Sequence, residues 1–316
     1  MESEFDGYVL KKEQGLRYGE NPHQKANFFL DLNLSDKQWS QLNGKELSYN
    51  NLLDLDAALK LNRAFPNKPA MAAIIKHLNP CGAALSDNLL GALRQAKRCD
   101  PRSHFGGIIA LNGCVNEIVA QEVSEDFAEL IIAPDYTEQA LSILKSRKNL
   151  RVIRVKSDTQ DSTYDIRSAA GGVLIQTSDL EISRAITADR VADKAPSEME
   201  LADLDFAWRV CAHTKSNAIV IANGGMLAGV GAGQTSRIDA TELAISKAKR
   251  HGHSLRGAVA ASDAFFPFPD CLESLAEQGV TAIISPAGSK SDSDVIAAAK
   301  RLNLCLLFAR DRHFRH

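Results

Sequence analysis

Short apolar runs alternate with segments of helical period along nearly the whole chain, the pattern of an α/β sandwich with a largely covered sheet. Ala72-Ala73-Ile74-Ile75 reads as the end of a buried strand. FGGIIALN (105–112) then precedes a helical stretch, followed by AELIIAP (128–134), a helix-like ALSILKSRK and NLRVIRV (149–155). The second half offers GAVAASDAFF (257–266), a helical CLESLAEQ, VTAIISP (280–286), a helix-like VIAAAKR and NLCLLFA (303–309). Order and spacing match, which predicts two related units of about 150 residues each. The polar stretch from Lys156 to Tyr164 and the Ala-Pro-Ser near Pro196 are candidate connections, and we set the division at residues 1–160 and 161–316.

Between the repeats, MELADLDFAWRVCAH predicts a helix over 199–213, with Leu201, Leu204, Trp208 and Cys211 on one stripe. SNAIVIAN and MLAGVGAG flank Asn223-Gly224-Gly225, a hairpin signal because those residues tolerate positive φ. GAGQTSRIDATELAISKAKR follows as a glycine-rich turn opening a helix. Such a turn can cradle a phosphate on free N–H groups, with Arg237 as added charge, or be purely structural. LNGKELSYNNLLDLDAA (42–58) reads as a turn and an amphipathic helix with Asn50 and Asn51 near its start, where Asn usually caps.

Composition narrows the function. The 316 residues carry 37 basic and 39 acidic side chains, so nothing suggests a polyanion-binding surface and any anion site must be built locally; nucleic acid is not an expected partner. No secretory signal pattern opens the chain, and no apolar stretch approaches the roughly 20 residues of a membrane span, so a cytoplasmic protein is expected. The six cysteines (81, 99, 114, 211, 271 and 305) form no CxxC pair, which favours free thiols.

Four stretches carry chemistry. LRYGENPHQKA (16–26) is polar, aperiodic and dense in hydrogen-bonding side chains, as a solvated loop or a ligand loop would be. In IIKHLNPCGAA (74–84) the strand ends in Lys76 and His77. A lone core histidine is ordinarily structural, but an adjacent buried ammonium needs a purpose or a partner, and strand ends face the ligand crevice of an α/β sheet. The pair suits transfer to or from an amine, one group taking a proton and the other stabilising an oxyanion. SDAFFPFPD (262–270) presents flat apolar faces, and Asp270 beside Phe265 could receive a planar heteroaromatic with N–H groups. The chain closes on DRHFRH.

Together LRYGENPHQKA, IIKHLNPCGAA, FGGIIALN, TKSNAIVIA, GVGAGQTSR, SDAFFPF and RHFRH closely resemble, in order from about residue 8 to residue 316, the AICAR transformylase part of the bifunctional purine-biosynthesis family. The resemblance implies a duplicated cytidine-deaminase-like α/β/α fold and formyl transfer from 10-formyltetrahydrofolate to the 5-amino group of AICAR, giving FAICAR and tetrahydrofolate. It implies that Lys76 and His77 are the catalytic pair, that Asn217 orients the formyl group or His77, and that Arg17 and Tyr18 hold the ribonucleotide. Arg237 and Arg312 would lie near its phosphate or carboxamide. Phe265 and Asp270 would receive the pterin, Phe314 and His316 would bring the terminus into the site, and Asn51, Gly106 and Glu129 would line it. A homodimer with the site at its interface is implied.

Two departures from the family pattern stand out. The matched region leaves out the family's N-terminal IMP cyclohydrolase domain, so a separate cyclohydrolase is the expected downstream partner, and Pro269 replaces the arginine common in FPFRD. Zinc deaminases use H-x-E with P-C-x-x-C, whereas Pro80-Cys81 here is followed by Gly-Ala-Ala, so no zinc is expected. Some family members hold a potassium ion near the loop of Asp263, which makes that loop a candidate potassium site. The rivals are a deaminase or cyclohydrolase for a related purine precursor, and a non-catalytic AICAR- or folate-binding regulator, against which the retained Lys76 and His77 weigh. Formate with ATP is the alternative formyl donor.

Overall fold

The computed structural model describes residues 10–31, 38–66, 69–156 and 164–316. The first half runs β1 (Leu10–Leu16), β2 (Ala26–Asp31), β3 (Trp39–Asn43), α1 (Tyr49–Arg63), β4 (Ala70–Lys76), β5 (Asn79–Ser86), α2 (Leu89–Cys99), β6 (Ile108–Leu111), α3 (Glu117–Glu125), β7 (Leu130–Ala133), α4 (Glu138–Ser146) and β8 (Arg151–Val155). After β9 (Tyr164–Ala169) and β10 (Gly172–Thr177), the second half runs β11 (Asp189–Arg190), α5 (Glu198–Ala212), β12 (Ile219–Asn223), β13 (Met226–Gly231), α6 (Arg237–Arg250), β14 (Val259–Ser262), α7 (Asp270–Glu277), β15 (Ala282–Pro286), α8 (Asp292–Arg301) and β16 (Cys305–Ala309).

The main sheet has 12 strands in the order β11-β16-β15-β14-β12-β13-β5-β4-β6-β7-β8-β3. Each side of its centre has the same build: a hairpin, an antiparallel step to a strand, two parallel steps, and an antiparallel edge strand. The two hairpins meet at the centre, where Met226 pairs with Ala84 and the Leu85 amide donates to the Gly225 carbonyl at 2.8 Å. Helices α1 and α5 share one core on one face of the sheet. Helices α2 to α4 and α6 to α8 cover the other face in two separate cores.

The repetition extends to single residues. Both hairpins carry a bulge, before Gly82 in β5 and before Gly229 in β13. A Cβ on Gly82 would stand 2.2 Å from the Ala96 carbonyl oxygen of α2, and one on Gly229 would stand 2.2 Å from the Ala244 carbonyl oxygen of α6. Glycine is what lets each helix lie directly on the strand before it.

Several sequence expectations are refined. The strand, helix and hairpin assignments recur, with the 199–213 helix starting one residue earlier and ending at Ala212. Ser48, not an asparagine, is the N-cap of α1; Asn51 completes a capping box from the third helical position. The expected boundary at residues 160/161 lies outside the described residues. Unforeseen are the two small antiparallel pairs β1-β2 and β9-β10. β9-β10 leaves Ile166, Val173 and Leu174 exposed, and alternation alone gives little signal on so thin a sheet. No helix among the described residues is long and apolar enough to cross a membrane.

Gly229→Ala should lower stability by about 3 kcal/mol or more, because neither strand nor helix backbone can yield the missing space. Thermal melts of this variant, beside Gly172→Ala, where an added Cβ would meet only an ordinary 3.7 Å contact, check it.

Candidate functional site

Strand β4 ends in the two-residue turn His77-Leu78, with Lys76 facing Asn79 across the hairpin. Both turn residues have positive φ, 51° and 65°, the pattern of a type I′ turn. The expectation of a strand end buried in a crevice is corrected here. Lys76 is half-buried and His77 is exposed, because the apolar register stops at Ile75 and the chain leaves the sheet as a hairpin tip. The Lys76 ammonium donates to the Phe105 carbonyl at 2.9 Å.

On the first-half side of this tip lies a cavity of about 480 Å³ lined by Arg17, Lys45, Ser48, Phe127, Glu129 and Arg151, among others. Arg17 comes from the loop between β1 and β2. It donates to the Tyr18 hydroxyl at 3.0 Å and lies 4.8 Å over that ring. Glu129 accepts from Arg151 at 2.7 Å and, at the longer 3.5 Å, from Asn51. Gly106 is joined to this wall through its amide, which donates to the Phe127 carbonyl at 2.7 Å; the Phe105 and Phe127 rings are 5.4 Å apart. Of the residues named from the sequence, Arg17 and Glu129 thus line this cavity and Asn51 and Gly106 bond to its wall; two guanidiniums and an ammonium face it beside the carboxylates of Glu46 and Glu129.

On the second-half side the Lys215 amide donates to the Asn79 side-chain carbonyl at 3.0 Å, which ties the hairpin tip to the KSN segment. A cis peptide joins Ser216 to Asn217. Asn217 donates to the Gln234 carbonyl at 2.9 Å and accepts from Arg237 at 2.8 Å. Arg237 is buried and gives its guanidinium to Asp263, Ser262 and Asn217, the structural one of the two readings of this turn. The fully buried Asp263 carboxylate needs that cation, since an unpaired charge at this depth is costly.

The last residues are stitched into this cluster. The His313 amide donates to the Asp263 carbonyl at 3.1 Å, the Ser216 amide to the Arg315 carbonyl at 2.9 Å, and the Arg315 amide to the Ser216 hydroxyl at 3.0 Å. The His316 carbonyl receives Lys215 at 2.7 Å and Arg167 at 2.6 Å. Arg312 stacks 4.4 Å over Phe314, whose ring is 5.6 Å from that of His316. Phe314, Leu78, Lys215 and Arg315 line a second cavity of about 240 Å³ with Asp56 and Lys60. Burial, with Arg167 and Arg315 close by, holds the Lys215 ammonium below its ordinary pKa.

The loop after β14 is only partly presented. Phe265 and Asp270 are half-buried and Phe268 is exposed, whereas Phe266 is packed into the core. Asp270 opens α7 and accepts the Cys271 amide at 2.7 Å. Sequence reasoning missed Arg151, Lys45 and Asp54. An arginine beginning the otherwise apolar RVIRV strand was a usable signal, because a buried guanidinium must find an acceptor.

The family model for the AICARFT/IMPCHase bienzyme matches residues 2–247. The chain belongs to this family. It is 48% identical over 97% of its length to a bifunctional purine biosynthesis protein PurH of Magnetococcus marinus, of which it covers 60%. It is 45% identical over 99% of its length to that of Thermoanaerobacter sp., covering 61%, and 45% identical over 97% to that of Aquifex aeolicus, covering 60%. The chain therefore spans about three fifths of the length of these relatives.

Two outcomes follow from the buried charges. Arg237→Ala should cost about 3–5 kcal/mol in denaturant melts by stranding Asp263. The second concerns His213, whose Nδ1–H donates to the Arg209 carbonyl at 2.8 Å. Burial, then the nearby Arg315, pushes its pKa down to about 3. The fold keeps it neutral while the unfolded chain takes up a proton below about pH 6.5. Stability should therefore fall as pH drops from about 6.5 towards 3, and a melting-temperature profile of His213→Gln should be flatter over that window.

Proposed function

We propose that this chain catalyses formyl transfer from 10-formyltetrahydrofolate to the 5-amino group of AICAR, giving FAICAR and tetrahydrofolate in purine (IMP) biosynthesis. The observation that carries this reading is the Lys76-His77 hairpin tip, set between an arginine-lined cavity and the segment that bears Asn217 and the terminal residues. Membership of the bienzyme family and likeness to purine biosynthesis proteins support the substrate class.

In this reading Arg17, Tyr18, Asn51, Gly106 and Glu129 hold the ribonucleotide. His77 takes a proton from the 5-amino group as its nitrogen bonds to the formyl carbon. Lys76 stabilises the tetrahedral oxyanion or protonates N10 as the carbon–N10 bond breaks, so one proton leaves the amine and one arrives on the folate. Asn217, held by Arg237, orients the formyl group or His77. Phe265 and Asp270 receive the pterin, and Phe314 and His316 wall the site, with Arg312 near the nucleotide. Each half is read as a cytidine-deaminase-like unit, 1–160 and 161–316, a reading supported by the twofold element order. The protein is read as a cytoplasmic homodimer with the site at its interface.

No zinc is assigned. The Cys81 thiol bonds the Ile74 carbonyl, and burial pushes its pKa up to about 12, far from a thiolate ligand. The Asp263 carboxylate is already filled by Arg237, Ser216 and the Ala218 amide, so a potassium ion near its loop would draw its oxygens from elsewhere.

Mixing the purified protein with AICAR and 10-formyltetrahydrofolate, with and without potassium, should release tetrahydrofolate. His77→Ala should lower kcat by about 100-fold or more while nucleotide binding persists. Near-normal turnover in that variant would remove His77 from the chemistry. Activity only with formate and ATP would change the donor.

A further inference from the structure

The duplicated hairpins provide an internal comparison. In each half a helix carboxylate reaches the tip of the hairpin that follows it, from the sixth residue of α1 and of α5. Asp203 accepts the Gly224 and Gly225 amides at 2.8 and 2.6 Å, and Asp54 accepts the Leu78 amide at 2.6 Å. Both tips put two consecutive residues in the left-handed region, Gly224 and Gly225 at φ 61° and 70°, His77 and Leu78 at 51° and 65°. Glycine does this without a steric cost, whereas side chains with a Cβ are strained there. The second hairpin has the unstrained solution; the first keeps the strained one where the proposed catalytic histidine stands.

The peptide between His77 and Leu78 is held at both ends. Its N–H points to Asp54, and its carbonyl accepts the Asn79 side-chain amide at 3.0 Å. The other side of Asn79 receives the Lys215 amide. Rotating this one peptide by half a turn would convert a type I′ into a type II′ turn, bringing Leu78 out of the left-handed region but leaving His77 at the first central position, which favours glycine. It would also break both bonds, which is what the charged acceptor resists.

We propose that Asp54 is a positioning residue: by fixing the His77–Leu78 peptide in its strained orientation, its carboxylate aims the His77 imidazole. The proposal rests on the reading of His77 as the proton acceptor. Asp54 touches neither substrate nor reacting atoms in this scheme; it acts through the turn.

The test combines steady-state kinetics with the amide resonance and hydrogen exchange of Leu78, on the full chain. In Asp54→Ala, kcat should fall about 100-fold, the scale of a small misplacement of a reacting group. KM for AICAR should stay within about twofold, since the nucleotide wall is untouched. The Leu78 amide should lose its protection. Adding Leu78→Gly, which removes the strain the carboxylate resists, should recover about 10-fold of the loss, a rescue that a purely structural role would not give. Asp203→Ala should lower the melting temperature and leave kcat within about twofold.

Should Asp54→Ala fold poorly, Asp54→Asn replaces it, with a smaller loss in the same direction. Normal kcat in the Asp54 variants, in a protein that His77→Ala inactivates, would overturn the proposal and leave the function standing. Wild-type protein without transformylase activity would overturn the function, and with it the role in aiming a catalytic His77. Retained Leu78 protection in Asp54→Ala would overturn the clamp whatever the activity.

Discussion

The architecture depends on the seam where two antiparallel hairpins meet back to back. Beyond it, β6-β7-β8 and β14-β15-β16 are parallel ladders covered by helices, which alone would make two separate open sheets. The hairpins reverse strand direction and give each sheet an edge the other can pair with. The seam sends the hairpin tips in opposite directions: the Gly224-Gly225 tip lies beside Leu85 of the first half, and the His77-Leu78 tip lies beside Lys215 of the second. A site built at the second of these contacts is composite by construction. Only there do the turn residues carry side chains.

That composite nature explains where buried charge is placed. Two mostly buried guanidiniums are paired with carboxylates, Arg151 with Glu129 at the cavity wall of the first half and Arg237 with the fully buried Asp263 in the second. Pairs of this kind add little net stability compared with apolar packing. Their value is directional. Arg151 orients Glu129 at the cavity wall while also holding the Glu46 carbonyl at 3.2 Å. Arg237 does the same for Asn217, on the side of the hairpin tip away from that wall.

Much of the fold was legible because the ladder strands are short, fully apolar and punctuated by turns. Residues 131–134 and 283–286 announce the repeated element order almost letter for letter. The Asn-Gly-Gly turn was readable for the same reason, since its residues advertise positive φ. His77-Leu78 has the same backbone and no such signature, so the sequence showed a lysine and a histidine at a strand end without showing a hairpin. The role of Arg237 was left open because a helix-opening turn with an arginine looks alike whether the guanidinium points to a phosphate or to a buried carboxylate. Its partner Asp263 is remote in sequence. Arg17, Asn51, Gly106 and Glu129 could be named through motif resemblance but not assembled, because their meeting depends on how α1 lies against the β7 end of the sheet.

The terminal residues follow from the same constraint. A chain end has few contacts and is normally frayed. Here β16 ends beside the loop after β14, so the next residues pass Asp263, and their amides and carbonyls find partners in a segment the seam has already ordered. His313 is buried with its Nδ1 2.8 Å from Asp179, and the Arg315 backbone bonds both the amide and the hydroxyl of Ser216. The chain entropy lost in ordering the tail is thus offset by hydrogen bonds to a segment that is itself tied to the hairpin tip through Lys215 and Asn79. Phe314, its ring 5.6 Å from that of His316, then stands at the cavity that Leu78 lines from the opposite half.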